Sequence, residues 1–112
     1  MISRIWHGWT THDNADAYQD IVSHQVLPGI ARRQVPGYRG GYLLRRELED
    51  EVEFVTILWF DSLDAVRAFV GEDFEVAHVP AEAQDVLLRF DARVRHYDTL
   101  LTPAETLSER PV

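Results

Sequence analysis

The sequence predicts an α+β domain, a four-stranded antiparallel sheet with helices on one face, and three observations carry that prediction. Phe54, Thr56, Leu58 and Phe60 alternate with Val55, Ile57 and Trp59 in one apolar run, as in a central strand covered on both sides. Asp61 or Ser62 then stands where a helix cap belongs, ahead of Leu63, Val66, Phe69 and Val70 at helical spacing. Along the whole chain, strand-like and helix-like segments succeed one another as β-α-β-β-α-β.

Taken in order, Ile2 to Trp9 is rich in β-branched and aromatic residues and reads as the first strand. Polar residues from Thr10 to Asn14 offer caps, so a helix is expected to begin near Asn14 or Ala15. Its apolar positions run through Tyr18, Ile21, Val22, Val26 and Ile30, with Pro28 and Gly29 expected to kink or divide it. Val35, Pro36 and Gly37 make a turn into a second strand, Tyr38 to Leu48, and acidic Glu49 to Glu51 form a solvated hairpin loop to the third, Val52 to Phe60. After the second helix, Gly71 to Val79 reads as irregular, Ala81 to Phe90 as a short third helix opened by Pro80, and Ala92 to Leu100 as the last strand. This order is the ferredoxin-like arrangement. Residues 1–100 form the domain, and 101–112 form a tail that is flexible or ordered by a partner.

A length of 112 residues suits one domain, and 46% hydrophobic content fills a core without disulfides or a structural metal. Cysteine is absent, which removes thiolate chemistry and fits a reducing cytoplasm. Nineteen acidic residues against 11 arginines and no lysine give a charge of −8, so phosphate backbones and anionic lipids are repelled and no nucleic-acid or membrane partner is expected. Missing lysine also excludes Schiff-base catalysis and a phosphate-loop lysine. No apolar run approaches the roughly 20 residues of a membrane span, and no signal peptide is evident at Met1 to Thr10, so a soluble cytoplasmic protein is expected. Tyr42, Leu44, Leu58 and Phe60 among others leave both sheet faces apolar, which predicts a homodimer packed sheet to sheet.

IWHGWT at Ile5 to Thr10, PGYRGGYLLRR at Pro36 to Arg46, TILWFDSLDAVRAF at Thr56 to Phe69 and VRHYD at Val94 to Asp98 together resemble the antibiotic biosynthesis monooxygenase-like group of the dimeric α+β barrel proteins. The resemblance spans roughly residues 1–99. It implies two ferredoxin-like sheets paired into a barrel, with an aromatic or polyketide-like ligand held in a cleft between sheet and helices. Such proteins include cofactor-free oxygenases of anthrones, haem-degrading oxygenases, polyketide cyclases and lactone isomerases. Trp59 matches the tryptophan that ends the third strand of the anthrone oxygenases, whereas their asparagine reads Val55 here and their helix tyrosine falls near Val66. Asp73 to His78 resembles the helix whose histidine ligates haem iron in the haem-degrading branch, but the asparagine of the first strand is missing and the helix tryptophan falls near Phe69.

The chemistry-bearing residues are distributed. His7 and His96, mid-strand on prospective neighbours, are the candidate catalytic bases, because imidazole titrates near neutrality and can take a proton from an acidic phenol or anthrone. Each can equally satisfy a core hydrogen bond or face the dimer seam. Trp59, Trp9, Tyr42 and Phe69, with Trp6 and Tyr18, are candidate aromatic walls for a planar ligand unless they are core or dimer contacts. Arg45, with Arg4, Arg46, Arg93 and Arg95 also on strands, is a candidate partner for its carboxylate or phenolate unless these arginines pair with the many acids. No metal site is expected, since the histidines fall at no ligating spacing, and no cofactor is required. The leading expectation is cofactor-independent monooxygenation of an aromatic molecule. A cyclase or isomerase using the same base, and a non-catalytic ligand-binding dimer, are the alternatives; haem held by His78 ranks behind them.

Overall fold

The computed structural model describes residues 1–107. Strands β1 (Ile2–Thr10) and β3 (Val52–Phe60) pair antiparallel without a break, from Ile2 opposite Phe60 to Thr10 opposite Val52, and form the middle of the sheet. Strand β2 (Tyr38–Glu47) lies on the other edge of β3, joined to it by a tight turn in which the Leu48 N–H donates to the Glu51 carbonyl at 2.8 Å. Glu49 and Asp50 face solvent there, as the acidic loop requires.

The expected single last strand is divided. Strand β4 (Arg89–Phe90) pairs with Gly8 and Trp9, and β5 (Arg95–Asp98) pairs with Ile2 to Ile5, both along the same edge of β1. The sheet therefore has five strands, ordered β2-β3-β1-β4 with β5 also on β1, in the ferredoxin-like order. Between β4 and β5 the chain turns away from β1 to meet the segment after the second helical region: Val76 bridges Arg93, Ala77 N–H donates to Ala92 O, and Val94 N–H donates to Glu75 O. That pairing also shortens the expected helix 81–90, because Leu88 N–H is already bound to the Trp9 carbonyl.

On the covered face, helix α1 (His12–Ile21) begins earlier than the apolar pattern indicates, because the Thr11 hydroxyl caps it by accepting from Asn14 N–H at 3.1 Å. It runs through one π turn, Val22–Val26, into α2 (Leu27–Arg33). Leu27 N–H bonds back five residues to the Val22 carbonyl. Pro28 has no N–H and would press its ring on the carbonyl four residues earlier; widening the preceding turn carries the helix past it. The interruption expected at Pro28 and Gly29 is thus a bulge one turn upstream. Helix α3 (Leu63–Val70) is capped by Ser62 and α4 (Ala81–Val86) follows Pro80. In the tail, α5 (Pro103–Thr106) is a single capped turn, and residues 108–112 lie outside the described residues.

The core has two parts. Ile2, Ile30, Leu58, Phe60, Ala65 and Val66 form one, and Ala15, Tyr18, Val22, Val52, Phe54 and Ala83 the other. All β-strand members come from one face of β1 and β3. The opposite face, with Ile5, Val55, Ile57 and Trp59, is half-exposed, so within the chain the central strand is covered on one side only, contrary to the two-sided burial its sequence predicts. Tyr42 and Leu44 on β2 extend this outer face at 51% and 47% exposure.

Gly37 sets the approach of β2 to α3. Its φ is +85°, a Cβ would lie 2.7 Å from Ala65 Cβ, and its carbonyl accepts from Asp61 N–H at 2.9 Å. Gly37→Ala is expected to lower stability by about 2 kcal/mol through strain and overlap, read as a reduced melting temperature.

Candidate functional site

The even-numbered residues of β1 and β3 point toward the helices, and between them and the helices lies a cleft of about 690 Å³, its open mouth included. Arg4, Trp6, Thr56 and Leu58 make its floor. Tyr18, Val22, Val26 and Ile30 roof it, so the π turn lies directly over the space, and Phe69 and Val70 of α3 close one end. Ala77 to Pro80, with Ala83, form the rim. The walls are mainly apolar with a few convergent polar groups, the usual make-up of a small-molecule site.

Arg4 is 6% exposed. Its Nη1 donates to the Phe74 carbonyl at 2.5 Å and reaches His96 Nε2 at 3.0 Å, and its guanidinium stands 5.9 Å from the Phe69 ring centre. Burial brings its pKa down to about 10, which leaves it cationic at neutral pH. A guanidinium only donates, so His96 Nε2 accepts and the proton of the neutral ring sits on Nδ1. Burial, and then the Arg4 charge, hold His96 below the ordinary histidine range, with Glu75 opposing. The Tyr18 hydroxyl is pushed up to about 12 by burial, partly offset by Thr56, and stays protonated. His78 lines the rim and is exposed overall. The segment 73–78 that carries it is a turn and a bridge, not a helix as its resemblance implies, because Val76 and Ala77 are committed to Arg93 and Ala92.

The residues singled out from sequence do not converge on one site. Phe69 lines the cleft, and His96 stands behind Arg4. His7, Trp9, Tyr42 and Trp59 are on the outer sheet face. There His7 Nδ1 donates to Glu53 Oε2 at 2.9 Å, Arg89 covers the Trp9 ring at 4.3 Å, Tyr42 meets Trp59 edge-on at 4.6 Å, and Trp59 Nε1 donates to Ser3 Oγ at 2.8 Å. His7 and His96 cannot act together: His96 pairs opposite Arg4, and the odd separation of Arg4 and His7 along β1 puts them on opposite faces. Arg45 is held at the end of the sheet by Asp16, Glu47 and Gln19, outside the cleft. Of the residues considered from sequence, Trp6, Tyr18 and Phe69 among the aromatics, Arg4 among the strand arginines, and His78 do line the cleft. What the sequence reading did not separate was Arg4 from the other strand arginines, although its phase with Ile2 and Thr10 on β1 carried that signal.

Fold and site together define a ferredoxin-like α+β domain with an apolar cleft between the inner sheet face and its helices. No family model and no curated protein matches the chain. Among solved structures, it is similar to the heme-degrader MhuD from Mycobacterium tuberculosis, a structure with two hemes bound in its active site, at a TM-score of 0.59 and 16% sequence identity, covering 91% of this chain and 98% of that one. At this identity the likeness shows a shared fold, the one the sequence resemblance implied.

His96 gives the site an acid sensitivity. Its proton affinity is lower folded than unfolded, so between the lowered value and the ordinary 6.5 the unfolded chain binds more protons, and stability rises with pH across that window. The melting temperature is expected to fall as pH drops from 7.5 to 5, and to fall less steeply in His96→Gln. The exposed His12, raised by the Glu49 carbonyl and by Glu47, works in the opposite sense in both proteins and cancels in the comparison.

Proposed function

We propose that the cleft binds a flat, mainly apolar aromatic molecule and that the protein oxidises it with molecular oxygen, without a cofactor, as a homodimer. One observation carries this reading: a deep apolar cleft, with Trp6 and Phe69 in its walls, has a solvent-reached imidazole, His78, at its rim. His78 takes a proton from the acidic CH₂ of an anthrone-like ring to give an enolate. The enolate passes one electron to oxygen, the radical pair joins as a C–O bond, and the hydroperoxide so formed, protonated at oxygen, loses water to leave a second carbonyl. Anthrone and O₂ thus give quinone and water.

Haem is a second reading, favoured by the same His78 and by the heme-binding MhuD. His78 would supply the iron ligand and the apolar walls the ring contacts; bound haem would bring oxygen activation to the site. The homodimer is supported by the outer face, where Ile57, Trp59, Tyr42 and Leu44 have no cover among the described residues.

With dithranol as an anthrone probe, oxygen uptake is expected above the buffer rate and is expected to fall about 100-fold or more in His78→Ala at an unchanged melting temperature. No uptake by the wild type sinks the oxygenase reading. A hemin titration that gives a protein-shifted Soret band, lost in His78→Ala, puts haem in its place. Light scattering is expected to give about twice the 12.9 kDa chain mass, and Ile57→Arg to return it to one chain; a wild-type monomer overturns the dimer.

A further inference from the structure

Among the described residues, Arg4 is the one arginine that is buried. Arg39 grips Asp61 through two 2.7 Å bonds, and Arg45, Arg67 and Arg89 each hold a carboxylate at the surface. With acids in such excess, the one strand arginine drawn into the core lies within salt-bridge reach of no carboxylate among the described residues. Its partners, the Phe74 carbonyl and the neutral His96 ring, carry no negative charge. A buried cation without a counter-ion is costly, and chains tolerate it where something outside the chain completes it.

The two bonds that Arg4 does make both use Nη1. Among the described residues its Nε and Nη2 hold no hydrogen-bond partner, and no fully buried side-chain nitrogen or oxygen there lacks one. These nitrogens therefore keep open surface, and Arg4 is part of the cleft floor. The Nε and Nη2 edge of a guanidinium is a planar fork that matches the two oxygens of a carboxylate.

We propose that Arg4 is the anion anchor of the cleft and that the ligand is an aromatic carboxylate, its acid group seated on the free fork and its rings lying between Trp6, Leu58 and Phe69. The proposal rests on the reading of the cleft as an aromatic site and narrows the class of molecule it takes. His96 acts here as a positioning residue: by accepting from Nη1 while staying neutral, it orients the fork without cancelling its charge.

The test compares 2-anthracenecarboxylate with 2-anthracenemethanol, near-equal in shape and different in charge, by fluorescence titration at pH 7.5. The wild type is expected to bind the carboxylate about tenfold more tightly, as a charge-assisted bidentate pair gives. Arg4→Gln removes the cation and leaves a neutral amide on the cleft floor, and it is expected to weaken the carboxylate down to the affinity of the alcohol; Arg4→Lys is expected to restore part of the difference. Equal affinities in the wild type, or a preference that survives Arg4→Gln, overturn the anchor and leave the aromatic cleft standing. Failure of both probes to bind removes the cleft reading and the anchor with it. The wild-type comparison decides the matter even where Arg4→Gln does not fold.

Discussion

The unbroken pairing of β1 with β3 is the constraint on which the rest of the molecule depends. A β ladder sends successive side chains to opposite faces, so once Ile2 is opposite Phe60, every residue from 2 to 10 and from 52 to 60 is assigned to one of two environments. One is the dry space beneath the helices, with Val52, Phe54 and Phe60 fully buried; the other is the open outer face. A shift by one residue would exchange Arg4 and Trp6 for Ile5 and His7 and would remake the cleft.

The cleft exists because the helices do not settle fully onto that inner face. The π turn ahead of Pro28 widens the helix just where Val22 and Val26 overlie the sheet, and at the rim Val76 and Ala77 are tied by their backbone to Arg93 and Ala92. The loss of one regular ladder bond in the helix and the division of the last strand are thus both local irregularities at the walls of the site. Such departures cost little where backbone groups find other partners, as Leu27, Ala77 and Val94 do.

Charge is distributed with similar economy. Acidic residues hold several of the surface arginines, and among the described residues a single buried cation, Arg4, faces an apolar space. In that low-polarity setting an ionic contact is screened less than at the surface. A chain of net charge −8 can therefore still offer a local positive site to an anionic group.

Much of the fold was legible from residue patterns alone. β-Branched and aromatic content marked β1, an alternating apolar run marked β3, the turn and the acidic loop bounded β2, and helical spacing and caps marked α1 and α3, because each of these is a short-range property of consecutive residues. The expected helix to Phe90 and the single last strand were misread for the opposite reason. Leu88, Ala92 and Val94 are claimed by Trp9, Ala77 and Glu75, partners far away in sequence. The site was less legible than the fold. Residue type drew attention to Trp6, Tyr18 and Phe69, which line the cleft, and equally to His7, Trp9, Tyr42, Trp59 and Arg45, which lie outside it, while Arg4 stood as one of several strand arginines. The sequence by itself determined the first three strands and the helices that follow β1 and β3, and hence the ferredoxin-like order. Only the tertiary structure decided which face the helices cover, and so which arginine is buried away from the carboxylates of the described residues, because burial and charge pairing depend on distances between segments that no local pattern encodes.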